Sequence, residues 1–240
     1  MALSRTMISK TSETLIEDRI TPGPGRRLIG TRRFGREGPT VVCFGGIHGN
    51  EPAGELALEA VFARMKGREY PGASGTFIGI RGNLQALSHS RRFLKYDLNR
   101  LWSRERLERI DAKAPAAREA EERELCEIRR LLNWILRKEK PPFYFIDLHT
   151  TSSPTLPFLT INDAVINRKF SSLFPVPVIL GIEEYLEGPL LSHINELGYV
   201  SLGFESGQHE ERQAVENAID FLWNTLGFSF FFPEIAQSKT

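Results

Sequence analysis

Residues 39–65, PTVVCFGGIHGNEPAGELALEAVFARM, combine a short apolar run with a helical pattern. The run from Val41 to Phe44 ends at two glycines, and helical spacing of apolar residues begins after Pro52. This order predicts a buried strand, a loop and a helix. His48 and Glu51 lie in the predicted loop, three positions apart, so that an imidazole nitrogen and a carboxylate can reach one cation.

Two later segments repeat this arrangement. In residues 143–151, FYFIDLHTT, an apolar run from Phe143 to Leu148 ends at His149. A further apolar run from Tyr199 to Phe204 is followed by Glu205. Because α/β enzymes place their chemistry at the carboxyl ends of strands, the sequence predicts that three strand ends face one cleft.

The remaining periodic segments indicate the fold class. Strands alternating with helices favour a three-layer α/β/α sandwich with a mixed, mostly parallel sheet. Additional strands are predicted at Thr76–Ile80 and Pro177–Leu180, and helices at Glu119–Lys140, Leu190–Leu197 and Gln213–Leu226.

No internal repeat or low-complexity linker divides the chain. We predict one catalytic domain over residues 1–227, followed by a short aromatic tail over residues 228–240. The tail is interpreted as an edge strand, as the beginning of a second domain or as an exposed contact patch. The first 38 residues are polar and predict only a short strand or ribbon near their end.

Composition excludes several classes of protein. Hydrophobic residues make up 41% and charged residues 25%, which is typical of a globular protein. The formal net charge of +1 gives no electrostatic signature of binding to nucleic acid or to a membrane. Because the amino-terminal segment lacks the apolar stretch of a signal peptide and Cys43 and Cys126 are the only cysteines, we expect a cytoplasmic protein.

The residues at the predicted strand ends suit a zinc hydrolase. Zinc in such enzymes is commonly held by two His and one Glu, with a fourth position for water, so His48, Glu51 and His149 form a candidate set for one ion per chain. Amide hydrolysis also needs a base beside the metal, and Glu205 is the candidate. Arg92, Asn99 and Arg100 lie in a polar loop and can be substrate-binding or ordinary surface residues.

Four segments, taken in order, resemble the succinylglutamate desuccinylase and aspartoacylase family, which is related to the zinc carboxypeptidases. They are GGIHGNEPAG from residue 45, KYDLNRLW from residue 95, FIDLHTT from residue 145 and FESGQH from residue 204. The resemblance extends from about residue 30 to about residue 226. It implies a carboxypeptidase-like α/β/α fold and hydrolysis of an N-acyl amino acid.

The resemblance also implies a role for each candidate residue. Zinc is held by His48, Glu51 and His149, and Glu205 is the general base. Asn99 and Arg100 bind the α-carboxylate of the substrate, and Arg92 polarises the scissile carbonyl and stabilises the oxyanion. Asp97 orients a zinc-bound imidazole, that of His48.

Two departures from the family pattern concern the substrate. Aspartoacylases use an arginine shortly before the catalytic glutamate to bind the side-chain carboxylate of the substrate, whereas residues 193–205, HINELGYVSLGFE, contain no arginine. Asn195 takes that position, which argues against N-acetylaspartate. Typical members also continue into a smaller β-rich domain, so this shorter chain predicts a wider cleft.

Three functions remain open from the sequence. The first is deacylation of an N-acyl amino acid, which the sequence favours. The second is a zinc carboxypeptidase acting on short peptides, which would use the same groups. The third alternative is a non-catalytic metal-binding or interaction protein that retains the fold. A homo-oligomer in which a partner covers the site is also left open by the aromatic residues FSFFF, 228–232.

Overall fold

A seven-stranded sheet forms the centre of the molecule. The computed structural model describes Gly23 and residues 25–231. The strands are β1 (Leu28–Arg33), β2 (Thr40–Gly45), β3 (Thr76–Arg81), β4 (Phe143–Thr151), β5 (Phe158–Ile161), β6 (Val178–Leu180) and β7 (Val200–Gln208). Their order across the sheet is β1-β3-β2-β4-β7-β5-β6.

Most neighbouring strands are parallel. The pairs β3/β2, β2/β4, β4/β7 and β5/β6 are parallel, whereas β1 is antiparallel to β3 and β5 is antiparallel to β7. The prediction of a mixed, mostly parallel sheet is therefore confirmed. The carboxyl ends of β2, β4 and β7 lie side by side, which brings the segments that follow these strands to one edge of the sheet.

Helices cover both faces of the sheet. They are α1 (Ala53–Met65), α2 (Leu84–Ser88), α3 (Arg104–Asp111), α4 (Ala120–Lys138), α5 (Val165–Ser171), α6 (Leu190–Glu196) and α7 (Arg212–Leu226). Short 3-10 turns occupy Leu98–Arg100, Pro115–Ala117 and Ile182–Tyr185, and a π-helical turn occupies Gly227–Phe231.

Alternation along the buried strands produces two separate cores. In β2, Val41 and Cys43 pack on one face with residues of α1, α5 and α7. Val42 and Phe44 pack on the other face with residues of α3, α4 and α6. Since successive side chains of a strand point to opposite faces, this division follows from the apolar run itself. The result is the predicted three-layer sandwich.

Several predicted elements differ from those in the structure. Strands β4 and β7 extend past their apolar runs, so that His149 and Glu205 lie within these strands and not after them. The sequence did not predict β5, α2, α3 or α5. Within the described residues, no helix combines the length and the apolar character needed to cross a membrane.

The aromatic residues after α7 pack against the core as far as the structure describes them. Phe230 is buried, and its ring centroid lies 5.0 Å from that of Phe34. Phe228 contacts Phe174, with the ring centroids 5.5 Å apart. Residues 232–240 and residues 1–22 lie outside the described part of the chain, and the domain boundary at residue 227 stays a prediction.

Close packing of α1 against the sheet sets the position of the loop that carries His48 and Glu51. A Cβ atom on Gly45 would lie 2.5 Å from the backbone nitrogen of Glu55, and one on Gly54 would lie 2.6 Å from the Cβ of Leu148. Only glycine at these positions lets the start of α1 approach the ends of β2 and β4 this closely.

We predict that Gly45→Ala lowers the free energy of unfolding by about 1–3 kcal/mol, because the new methyl group overlaps the backbone of α1. Urea denaturation measures this change. Gly35→Ala is the matched control, since nothing lies within 4 Å of its added Cβ. Equal stability of the two variants would contradict the packing argument.

Candidate metal centre

Three candidate ligands from two segments meet at the carboxyl edge of the sheet. His48 and Glu51 lie in the loop between β2 and α1, and His149 lies near the end of β4. One ligand atom from each side chain lies within 4.8 Å of the others, and the residues are only 4%, 2% and 8% exposed, respectively. The structure therefore brings together the three residues that the sequence predicted as metal ligands.

Glu51 joins the two histidines. Its Oε1 lies 3.0 Å from Nδ1 of His48, and its Oε2 lies 3.0 Å from Nδ1 of His149. The backbone N–H of Thr150 also donates to Oε2, at 3.1 Å. Burial raises the pKa of Glu51, but the hydrogen bonds with both histidines outweigh it and hold the pKa well below its usual range.

The outer nitrogen of each imidazole contacts a second carboxylate. Nε2 of His48 lies 3.0 Å from Oδ1 of Asp97, and Nε2 of His149 lies 2.8 Å from Oδ2 of Asp147. This arrangement turns both Nδ1 atoms toward Glu51, and carboxylates of this kind fix the tautomer and orientation of metal-binding imidazoles. The donor set and its outer carboxylates thus fit a divalent metal such as zinc.

Asp147 was missed by the sequence analysis, although a signal was present. It lies two residues before His149 in β4, and residues i and i+2 of a strand share a face. Burial lowers the pKa of His149, but the carboxylates of Asp147 and Glu51 raise it well above its usual value in the metal-free site. Burial likewise raises the pKa of Asp97, yet its contact with His48 holds that pKa well below its usual range.

Arg92 lies beside the candidate ligands and reaches solvent. Its Nη1 donates to Oε1 of Glu51 at 3.2 Å, and its Nη2 donates to Oδ2 of Asp97 at 3.1 Å. The side chain is 42% exposed. The guanidinium therefore lies between the solvent and the carboxylates of Glu51 and Asp97.

Asn99 and Arg100 follow Asp97 in a 3-10 turn. The side-chain Oδ1 of Asn99 accepts the backbone N–H of Leu190, at the start of α6, at 2.8 Å. Nη1 of Arg100 donates to the backbone oxygen of Asn99 at 2.7 Å. Oδ1 of Asn99 is therefore bonded to α6, whereas its Nδ2 takes no part in that bond.

Glu205 is placed next to His149 by strand pairing. The two residues are direct partners in the parallel β4/β7 ladder. Neighbours in register on paired strands project to the same face, so Glu205 lies on the face of the sheet that carries His149 and Asp147. His209, for which the sequence gave no role, has Nδ1 2.7 Å from Oγ1 of Thr150.

Comparison with known proteins identifies the family. The sequence profile of the succinylglutamate desuccinylase/aspartoacylase catalytic domain matches residues 37–218. The chain belongs to this family. A search of proteins with curated functions gave no significant match.

Solved structures of similar fold agree with this assignment. A succinylglutamate desuccinylase/aspartoacylase from Rhodobacter sphaeroides is 21% identical, with a TM-score of 0.61 over 83% of this chain and 57% of that one. The product-bound ectoine utilization protein EutE (DoeB) from Ruegeria pomeroyi is 19% identical, with a TM-score of 0.62 over 83% and 59%. The succinylglutamate desuccinylase from Chromobacterium violaceum is 16% identical, with a TM-score of 0.63 over 81% and 61%.

These matches concern the fold, since all three identities are low. Each match covers less than two thirds of the length of the similar structure. The α/β sandwich and its mixed sheet are thus shared with the family, while activity and substrate require separate support.

We predict that Asp147→Asn weakens zinc binding by about 10–100-fold, because the neutral amide no longer fixes and polarises the His149 imidazole. Competition with a chromophoric chelator measures the affinity. Asp111→Asn, which changes an exposed carboxylate paired with Arg129, should bind zinc like the parent protein. Unchanged affinity in Asp147→Asn would show that this carboxylate does not support a metal ligand.

Proposed function

We propose that this protein is a zinc-dependent hydrolase that cleaves the amide bond of a small N-acyl amino acid. The observation that carries the proposal is the buried cluster of His48, Glu51 and His149, in which each imidazole lies between Glu51 and an outer carboxylate. Membership of the succinylglutamate desuccinylase/aspartoacylase family supports the same chemistry.

His48, Glu51 and His149 are the proposed zinc ligands, one ion per chain. Zinc bound by such a set lowers the pKa of a water molecule toward neutrality and polarises a carbonyl group. Asp97 and Asp147 hold the two imidazoles in orientation through Nε2.

Glu205 is the proposed general base. A carboxylate beside the reacting water can accept its proton and then deliver that proton to the leaving amine. The position of Glu205 next to His149 in the β4/β7 ladder, on the same face of the sheet, supports this role. Its side chain is half-buried, and its Oε2 atom lies out of contact with solvent.

Arg92 and the 3-10 turn supply the proposed substrate contacts. A guanidinium beside the ligands can stabilise negative charge that develops on the carbonyl oxygen, and the half-exposed Arg92 fits that requirement. A substrate carboxylate calls for N–H donors, which Arg100 and the Nδ2 of Asn99 offer. The hydrogen bond from the Leu190 N–H to Asn99 Oδ1 fixes the side-chain amide and leaves its Nδ2 as the donor for this role.

We propose that the amino acid part of the preferred substrate is not aspartate. By the motif resemblance, Asn195 takes the position of the family arginine, and its Nδ2 donates to the backbone oxygen of Tyr199 at 3.2 Å. An amide held at the end of α6 does not replace a guanidinium as a partner for a second substrate carboxylate. We therefore expect substrates whose side chain carries no negative charge.

The test of the proposed function is amine release from a panel of N-acetyl and N-succinyl amino acids and of dipeptides, with zinc-loaded protein beside a chelated control. Zinc-dependent release from acyl amino acids is the expected result. Cleavage of dipeptides alone would instead support a carboxypeptidase, and no release at all would favour a non-catalytic metal-binding protein.

We predict that Glu205→Gln retains zinc and loses about 10²–10⁴-fold in kcat, because the amide cannot accept the proton of the attacking water. Zinc content and steady-state kinetics measure the two effects separately. Glu216→Gln, which changes an exposed residue paired with Arg212, should have parental kinetics. Near-normal turnover in zinc-loaded Glu205→Gln would exclude Glu205 as the base.

We also predict that zinc binding releases protons. Asp147 and Glu51 raise the pKa of His149, which favours the protonated imidazole, and that proton must be lost before the nitrogen binds a metal. Zinc affinity should rise with pH from neutrality until the pH exceeds the raised pKa of His149. Calorimetry in buffers of different ionisation enthalpy counts the protons, and a binding enthalpy independent of the buffer would contradict this prediction.

A further inference from the structure

A buried carboxylate outside the candidate metal centre binds three successive backbone amides. Glu121 lies in the first turn of α4 and is 0% exposed. Its Oε1 accepts the N–H of Leu94 at 2.7 Å, and its Oε2 accepts the N–H groups of Lys95 and Tyr96 at 3.0 and 3.1 Å. The Nδ2 of Asn83 donates to Oε1 at 3.2 Å.

All four partners of Glu121 are donors, and this requires an ionised acceptor. If the carboxyl group of Glu121 were protonated, or were replaced by an amide, its own O–H or N–H hydrogen would face one of these N–H donors. Burial raises the pKa of Glu121, but the backbone N–H groups of Leu94 and Tyr96 outweigh burial and lower it. The first turn of a helix is also where a negative charge is favoured.

The three amides belong to the loop that carries Arg92 and Asp97. Both residues reach the candidate metal centre, Arg92 through Glu51 and Asp97 through His48. The amides held by Glu121 lie between them in the sequence, at residues 94–96. Because Glu121 holds residues 94–96 in place, it also sets the relative position of the Arg92 and Asp97 side chains.

A second contact joins the same loop to the ligand-bearing loop. The backbone N–H of Gly49, between His48 and Glu51, donates to the backbone oxygen of Arg92 at 3.2 Å. The loop is thus held at one end by the segment between two candidate ligands and in its middle by Glu121. A rearrangement of residues 94–96 would move Arg92 and Asp97 away from their carboxylate and imidazole partners.

We propose that Glu121 is a positioning residue of the metal centre, which sets residues 92–97 so that Asp97 orients His48 and Arg92 faces the reacting carbonyl. This inference rests on the proposed function and adds a residue that touches neither metal nor substrate. The sequence predicted a helix at Glu119–Lys140 without assigning it a residue of the site, and Glu121 is such a residue.

The experiment compares Glu121→Gln with Glu122→Gln in the full-length chain. Glu122 is the matched control, because it is buried in the same helical turn but pairs with Lys113 and the N–H of Glu119 instead of the loop. Amide hydrogen exchange measures the protection of residues 94–96 directly. Competition with a chelator measures zinc affinity and does not depend on catalytic activity.

We expect the amides of Leu94, Lys95 and Tyr96 to exchange about tenfold faster or more in Glu121→Gln, because hydrogen bonds to a charged acceptor are lost. Zinc affinity should fall by about 10–100-fold, as for loss of other groups that orient ligands. Amides of β2 and β4 should exchange as in the parent. In Glu122→Gln the loop amides and zinc affinity should match the parent.

Two results would overturn the positioning role while leaving the proposed function intact. One is unchanged exchange at residues 94–96 in Glu121→Gln. The other is faster loop exchange with parental zinc affinity and kcat, which would make Glu121 purely structural. If the parent protein binds no zinc and releases no amine, the proposed function fails and the positioning role fails with it.

Glu121→Asp keeps the inference testable if the glutamine variant does not fold. It retains the charge but is one methylene shorter, so it cannot reach all three amides at once. We expect a folded protein with faster exchange at residues 94–96, lower zinc affinity and a kcat that falls more than KM rises. Parental values for all three quantities would overturn the proposal.

Discussion

The arrangement of the site depends on one buried carboxylate, that of Glu51. A negative charge that is 2% exposed is costly unless its oxygens are hydrogen-bonded. Here both imidazoles, the Thr150 amide and Arg92 surround it. Because these partners come from three separate segments of the chain, the position of Glu51 is fixed only when the loop after β2, strand β4 and the polar loop are all in place.

Carboxylates and imidazoles alternate in a continuous series through Glu51. Its order is Asp97, His48, Glu51, His149 and Asp147, and Arg92 bridges the first and third members. Asp147 and Glu51 raise the pKa of His149 well above its usual value. A divalent cation bound between these groups would supply positive charge beside the Glu51 carboxylate.

Much of the fold followed from the sequence, because the buried parallel strands are continuous apolar runs bounded by glycine or proline. The runs at residues 41–44 and 143–148 identified β2 and β4. Element ends were less predictable, since β4 continues through the polar residues His149 and Thr151, which pair with Glu205 and Gln208 of β7. The short elements β5, α2, α3 and α5 depend on tertiary packing and have weak local patterns.

The candidate ligands were also predictable, because His48, Glu51 and His149 follow two buried apolar runs and four ordered segments match one family. The supporting carboxylates were not. Asp147 is hidden within an apolar strand, and Glu121 lies in a helix whose pattern indicates only packing. Their roles depend on distances to residues that are remote in sequence, which local spacing does not encode.

The central claim is that one divalent metal binds between the loop after β2 and the end of β4. Diffraction from crystals of the zinc-loaded protein, recorded on both sides of the zinc absorption edge, tests it most directly. The account predicts one anomalous peak per chain, bounded by the Nδ1 atoms of His48 and His149 and a carboxylate oxygen of Glu51, with metal–ligand distances of about 2.0–2.2 Å. A peak at other residues, or none at this site, would contradict it.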